Sequence, residues 1–298
     1  AVNDSFAIAV ANTNDAPTAI TLSATAIDEN AAGATVGTLS TTDVDVGDTH
    51  TYTLSGTDAE SFEVVNGELK LVGSADHETK NSYSVTVTAT DAAGAVFAQS
   101  FAITVTDVNE TPTAIALSAT AIDENAAGAV VGTLSTSDVD AGDTHTYELS
   151  GTDAESFEVV NGQLKLKDSV TADYETQSSY SVSVTATDSG SLTTTQDFTV
   201  SINNLNDNDP VITSNSSINM EENSNSVIAV TSTDADGDSL TYSITGGDDS
   251  GLFTIDAATG ALTLQAKTDG LTTTDSTLPI TLTNMVDNGD GTYTADIE

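Results

Sequence analysis

The chain contains no cysteine, no tryptophan and no arginine, and its five basic residues, all lysines, face 46 aspartates and glutamates. The lack of cysteine excludes a disulfide framework and thiolate metal sites, so stability must come from packing, hydrogen bonding or a bound ion. A net charge of −41 repels nucleic acid and anionic membrane surfaces and attracts cations. No apolar run approaches the roughly 18 residues of a spanning helix, so no membrane insertion is expected. The start, Ala1-Val2-Asn3-Asp4, carries no signal-peptide pattern and reads as cut from a longer chain. Proline is scarce at four residues and glycine is ordinary, which argues against a low-complexity segment. No Gly-rich phosphate loop, nucleophile elbow or zinc-ligand cluster occurs, and without tryptophan there is no aromatic platform for sugars. No catalytic activity and no organic cofactor are expected.

Self-similarity dominates the rest. Residues 17–73 match residues 112–168 at an offset of 95, with 49 of 57 positions identical. A two-residue insertion near Asp168 raises the offset to 97, which holds through Tyr83/Tyr180 and Asp91/Asp188. A third, diverged copy starts at Pro210, and Phe6 to Val10 matches the end of a repeat, Phe101 to Val105. The expected organisation is therefore the last strand and joint of a preceding repeat over 1–16, then repeats over 17–111, 112–209 and 210–298.

Within a repeat the apolar period is two. Tyr83 to Ala89 and Phe101 to Val105 alternate cleanly, and Ile20/Leu22, Val36 to Leu39, Tyr52/Leu54, Phe62/Val64 and Leu69/Leu71 mark five more short strands. Turn signals separate them, the strongest being the hairpin pair Asn66-Gly67. Seven strands in about 95 residues, with no long helical pattern, predict an all-β, Greek-key sandwich repeated in tandem. Each of the first two repeats holds only four or five aromatics, so its core is thin.

The joints carry the chemistry. Asp107-Val108-Asn109-Glu110-Thr111-Pro112 lies between the first two repeats, Asn12 to Pro17 precedes them, and Asn204 to Pro210 comes after. Flexible linkers would use Gly and Ser; these runs place carboxylates and Asn at fixed intervals instead. Glu29, Asp76, Glu78, Asp107, Asn109, Glu110, Asp138, Asp140 and Asp188 recur at the ends of repeats. Asp-x-Asp and Asp-x-Glu in extended backbone point two carboxylates the same way. With joint oxygens added, such pairs can supply the six to eight hard ligands that Ca²⁺ takes, whereas Mg²⁺ prefers to keep its waters.

These residues resemble cadherin repeats, in the bacterial cadherin-like form found in large secreted (RTX-type) surface adhesins. Asp28-Glu29-Asn30 stands for the family's Pro-Glu-Asn, Asp76-His77-Glu78 and Asp173-Tyr174-Glu175 for its Asp-Arg-Glu, and Asp107-Val108-Asn109-Glu110 for its joint motif. The resemblance covers 17–207 well and 210–298 partly, and implies up to about three Ca²⁺ per complete joint. Carried over by position, the central joint takes the nine residues named above. The next takes Glu124, Asp173, Glu175, Asn204, Asn206, Asp207, Asp234 and Asp236, with Asp287 as its last member. The first retains Asn12, Asn14, Asp15, Asp43, Asp45 and Asp91 and, lacking upstream donors, is expected to hold one ion at most. Glu110 departs from the family's Asp, and Asn204 and Asn12 each remove a charge, so the central joint is expected to be the stiffest.

His50 and His145 occupy equivalent places in two repeats and read as surface strand positions; His77 reads as a solvated, outward-pointing residue between two ligands. Asp234-Ala235-Asp236-Gly237-Asp238 lacks the closing Glu of an EF-hand loop, and Asp256 to Gly260 reads as a hairpin turn. The expected molecule is a calcium-stiffened, monomeric rod at a bacterial cell surface, with calcium and neighbouring repeats as partners. The alternative is direct adhesion to a glycan, a peptide or a second copy through the diverged third repeat.

Overall fold

The computed structural model describes residues 13–216, 218 and 225–265, together with the backbone of two later strands, Leu282–Asp287 and Tyr293–Ile297. The expected strand over Phe6 to Val10, and Asn12, lie outside the described residues, as does the side chain of Asp287. Two units emerge. One comprises residues 1–114, 136–146 and 186–194; the other comprises 115–135, 147–185 and 195–298.

The first repeat forms β1 (Ala19–Leu22), β2 (Ala26–Asp28), β3 (Thr35–Thr42), β4 (Thr51–Ser55), β5 (Phe62–Val65), β6 (Glu68–Leu71), β7 (Ser82–Thr90) and β8 (Val96–Thr106). One sheet runs β1-β3-β6-β5 and the other β2-β8-β7-β4, the two faces of a sandwich. Eight segments replace the expected seven. The chain enters antiparallel to β3, then steps across to pair β2 in parallel with β8. With a single buried residue, Ile27, in its burial pattern, β2 is too short to show a period. The crossing is tight. At the β-bulge in β3, a Cβ on Gly37 would lie 2.7 Å from Ser23 Oγ and 2.8 Å from Ala24 N, so only glycine fits there. Asn66 and Gly67 both adopt positive φ (52° and 79°) and join β5 to β6, as the sequence signal requires.

The period-two pattern lands as expected. On β7, Val85, Val87 and Ala89 point inward and are fully buried. They join Leu69, Ile103 and Val105 in the core, and Phe62 meets Tyr83 edge-on at 5.5 Å. The second repeat reproduces this with β9 (Ala114–Leu117), β10 (Ala121–Asp123), β11 (Val130–Ser137), β12 (Thr146–Ser150), β13 (Phe157–Val160), β14 (Gln163–Leu166), β15 (Ser179–Thr187) and β16 (Thr193–Asn203). Its sheets run β13-β14-β11-β9 and β10-β16-β15-β12, with β10 again parallel to β16. Among the described residues, the third repeat contributes β17 (Val211–Ile212), β18 (Ser226–Ala229), β19 (Ser232–Thr233), β20 (Phe253–Ile255), β21 (Ala261–Leu264), β22 (Leu282–Asp287) and β23 (Tyr293–Ile297). Val230, Phe253 and Leu262 form its small core, and Asp256 caps the β20–β21 hairpin turn through Thr259 N–H at 2.8 Å.

One ion pair fixes the entry to β7. Asp58 accepts the Ser84 N–H at 2.7 Å and the Lys80 ammonium. In the second repeat, Asp153 accepts the Ser181 N–H at 2.7 Å and Gln177 replaces the lysine. The Lys80 ammonium, then the Ser84 N–H, hold the Asp58 carboxyl below its usual value.

Two outcomes are expected. Leu69→Ala, at a fully buried position, should cost about 2–5 kcal/mol in urea unfolding. A carboxylate with a depressed folded pKa contributes stability above its unfolded pKa of about 3.9, and that contribution is lost as pH falls. Asp58→Asn should therefore flatten the decline in melting temperature between about pH 5 and pH 3; a decline as steep as the parent's would contradict this role.

Candidate metal centres at the repeat joints

A glutamate anchors each of the two downstream joints. Glu29 lies just after β2, and its side chain is buried (4 % exposed). Its Oε2 accepts the His77 N–H at 2.7 Å and its Oε1 the Val108 N–H at 2.8 Å, so one carboxylate ties the turn before β7 to the segment leaving β8. Glu124 repeats this with the Tyr174 N–H at 2.8 Å and the Leu205 N–H at 2.6 Å. The Asn after each glutamate sits at positive φ, 59° at Asn30 and 64° at Asn125. That turn aims its amide at the joint: Asn30 donates to Glu110, and Asn125 to Asp207 Oδ2 at 2.5 Å.

At the central joint, whose groups all belong to the first unit, carboxylates converge in three overlapping sets. Glu29, His77, Glu78 and Asp107 form one; Glu78, Glu110 and Asp140 the next; Asp138, Asp140 and Asp143 the third. Within each, one ligand atom per residue lies within 4.8 Å of all the others. Backbone and amide donors orient them: the Glu110 N–H donates to Asp140 Oδ2 at 2.8 Å, and Asn109 Nδ2 to Asp188 Oδ2 at 3.0 Å. Asp76 stands outside these sets and caps its own turn, accepting the Thr79 N–H at 2.8 Å.

The flanking joints use the same plan with fewer groups. In the first, Asn14 donates to Asp91 Oδ2 at 2.9 Å and the Asp15 N–H to Asp45 Oδ2 at 2.8 Å, while Asp43, Asp48 and Asp91 form the acidic set. In the last, within the second unit, Glu124, Glu175 and Asp207 converge. Asn204 donates to the Asp236 carbonyl at 2.9 Å and Asn206 to Asp238 Oδ2 at 2.5 Å. Asp236 Oδ2 also accepts the Asn208 N–H at 2.8 Å, and the Asp238 N–H approaches Asp234 Oδ1 at 3.4 Å. Asp173, like Asp76, caps its turn through Thr176.

The family profile described as Cadherin domain matches residues 23–106 and 118–203. The chain belongs to the cadherin domain family. It is 30 % identical to human Protocadherin Fat 1 over 246 residues, which cover 75 % of this chain and 5 % of that protein. Among solved structures, the Protocadherin GammaB4 extracellular domain superposes with a TM-score of 0.67 at 26 % identity, over 87 % of this chain and 46 % of that one. Mouse Cadherin-23 EC22-24 does so with 0.67 at 19 % identity, over 96 % and 98 %, a likeness of fold. Cadherin domains are adhesion and structural modules rather than enzymes, and they bind Ca²⁺ in general.

The donor chemistry of these cadherin repeats fits such an ion. Glu110 Oε2, Asp140 Oδ1 and Asp143 Oδ2 are buried without a hydrogen-bond partner, a costly condition for charged oxygens unless a cation completes them. Burial first, then the charges of Glu29 and Asp140, push the Glu110 carboxyl above its ordinary value. Burial, then Glu124 and Asp236, do the same to Glu175. Burial alone would also raise Asp188, but the Asn109 amide and the Leu192 N–H bring it below its usual range. The Asn14 amide likewise lowers Asp91.

Three histidine expectations are corrected. His50 and His145 are not surface strand residues. Each precedes its strand and packs its ring against a joint aspartate, His50 Nε2 at 3.0 Å from Asp43 and His145 Nε2 at 2.9 Å from Asp138. Their side chains are only 12 % and 10 % exposed. The fixed spacing Asp-x6-His in both copies is the signal that could have revealed the pairing. His77 is only partly exposed and lies against the joint carboxylates, its Nδ1 3.2 Å from Glu78 Oε1 and 3.6 Å from Asp107 Oδ2. The Glu78 contact first, then Asp107, raise its pKa. Asp48, Asp143, Asn208 and Asp238 also belong to the joints and fall outside the motif positions.

Gly190 packs directly on the Asn109 amide, where an added Cβ would clash. Gly190→Ala should displace Asn109, break its bond to Asp188 and weaken cation binding at the central joint about tenfold, while leaving the cation-free melting temperature nearly unchanged. Calcium titration calorimetry with paired thermal melts checks this.

Proposed function

We propose that the chain is a calcium-dependent extender segment of a bacterial cell-surface adhesin, in which Ca²⁺ crosslinks adjacent repeats, with boundaries at 17–111, 112–209 and 210–298. The observation that carries it is the convergence of buried, unpartnered carboxylate oxygens at the central joint. Glu29, Asp76, Glu78, Asp107, Asn109, Glu110, Asp138, Asp140 and Asp188 would hold up to about three ions there. Glu124, Asp173, Glu175, Asn204, Asn206, Asp207, Asp234, Asp236 and Asp287 would hold the next set, and Asn12, Asn14, Asp15, Asp43, Asp45 and Asp91 a single ion. Bound Ca²⁺ supplies positive charge and multi-oxygen coordination. The chain's part is to orient the carboxylates through the backbone N–H groups of His77, Val108 and Glu110.

The adhesin reading rests on near-identical tandem repeats and a surplus of negative charge suited to an extracellular, millimolar-calcium setting. Affinities in the range of extracellular modules, roughly 10⁻⁴–10⁻³ M, would keep the ions bound outside a cell and release them on chelation. The stalk would act as a single chain, stiff with calcium and pliable without it. Small-angle scattering with excess Ca²⁺ and with EDTA tests this: chelation should broaden the distance distribution and lower the melting temperature. Superimposable profiles would overturn it.

A further inference from the structure

The two near-identical repeats diverge most in one strand. Between β4 and β12 four of five positions agree, and between β7 and β15 eight of nine. Between β8 and β16 only two of eleven do, Gln99/Gln196 and Phe101/Phe198. The difference has a direction. On its outward side the start of β8 presents Val96, Ala98, Ser100 and Ala102, where β16 has Thr193, Thr195, Asp197 and Thr199. No residue of β4, β7 or β8 is charged, in a chain of net charge −41, whereas Glu148 and Asp197 interrupt the matching strands of the second repeat.

This diverged strand has an open edge. β8 pairs with β7 from Val96 to Thr104, without a bulge, but with β2 only from Thr104 to Thr106. The Thr104 N–H donates to the Thr25 carbonyl at 2.9 Å, so Thr104 turns its backbone groups towards the β2 side. By the two-residue alternation of an antiparallel ladder, Ala98, Ser100 and Ala102 turn theirs the same way. Among the described residues no strand pairs with that side of Val96 to Ile103. The Ser100 carbonyl there is met by the side-chain amide of its own neighbour, Gln99, at 3.2 Å. Val96 is 58 % exposed, and Ala98, Ser100 and Ala102 are exposed with it. On the inward side Phe97 and Phe101 pack on the core but stay half-buried.

An uncharged edge carrying aromatic residues is a template for another strand, and proteins commonly guard such edges with lysine, proline, a bulge or a charge. Val96 to Ala102 has none of these guards; the corresponding run of β16 carries Asp197 at its middle.

We propose that the Val96–Ala102 edge of β8 is a docking site for an extended peptide of another protein, which adds as a strand beside β8 in line with β2. Pairing with Ala98, Ser100 and Ala102 offers the peptide about six backbone hydrogen bonds. Every second side chain of the peptide is apolar and covers Phe97 and Phe101; the alternate ones are small or hydroxyl-bearing and lie beside Val96, Ser100 and Ala102. The peptide is net basic, because the chain around the neutral edge is strongly acidic and steers positive charge towards it. A second copy of this chain meets the opposite condition, since it brings the same negative charge.

The test pans the full chain against a library of displayed decapeptides, then titrates the enriched peptides, made synthetically, into parent and variant chains. The enriched peptides should alternate apolar with small or hydroxyl residues and carry net positive charge. Ser100→Pro removes one edge N–H and leaves the pairing with β7 intact; it should weaken binding roughly tenfold with little change in melting temperature. A triple variant, Val96→Thr, Ala98→Thr, Ala102→Thr, copies outward residues that β16 already carries in a folded repeat, and should weaken binding severalfold. If Ser100→Pro melts early, the triple variant decides alone. A library that enriches no peptide, or peptides that bind the variants as tightly as the parent, would overturn the proposal. Dimerisation of the parent in sedimentation equilibrium, abolished in the triple variant, would assign the edge to a second copy and overturn it as well.

Discussion

The fold depends on a buried carboxylate that is satisfied by backbone on one side and surrounded by like charge on the other. Glu29 and Glu124 each accept two backbone N–H groups from segments roughly 50 and 80 residues distant in sequence. Those bonds draw the turn before the long β7 or β15 strand against the chain leaving the sandwich. They also bring the other acidic groups of the joint into range. A polypeptide alone gains little from such crowding, because desolvated carboxylates repel one another and lose their hydration. The elevated Glu110 and Glu175 carboxyls express that conflict.

The rest of the molecule is consistent with a cation resolving the conflict. Among the described residues, the ion pairs of lysine are made with carboxylates outside the acidic sets of the joints: Lys80 serves Asp58 at the entry to β7, and Lys165 serves Glu158 and Asp168. Asparagine appears where a carboxylate must be oriented without added charge, at Asn14, Asn109 and Asn208. The sandwiches themselves are simple. Alternating Val, Leu, Ile and Ala fill a narrow core around one edge-on aromatic pair in each of the first two repeats, Phe62–Tyr83 and Phe157–Tyr180. Joints and cores thus divide the labour: the cores fold each repeat, and the joints gather its acidic groups.

Much of this was legible in the sequence because it repeats and because strands announce themselves by a period of two. The long β7 and β8 strands, the Asn66-Gly67 hairpin and the sandwich class were all readable from local pattern. β2 was not, since three residues with one inward side chain carry no period; its existence is decided by the parallel pairing with β8, a tertiary event. Motif positions identified Glu29, Glu78, Glu110 and Asp140, which the structure brings together. They missed Asp48 and Asp143, which reach the set only through the loop after the Asp-x-Asp pair. His50 and His145 were misjudged as well, because their equivalent places in two repeats suggested a strand surface. The aspartates seven residues earlier decide their orientation instead.

The central claim is that these joints are completed by calcium. Counting the calcium ions retained per chain, by equilibrium dialysis of the full chain and of its Glu29→Gln, Glu124→Gln double variant, tests it directly. Several ions per parent chain at millimolar free calcium, and a clear loss of ions in the variant, are the predicted result. A parent chain that retains none, or a variant that retains as many as the parent, would contradict the account.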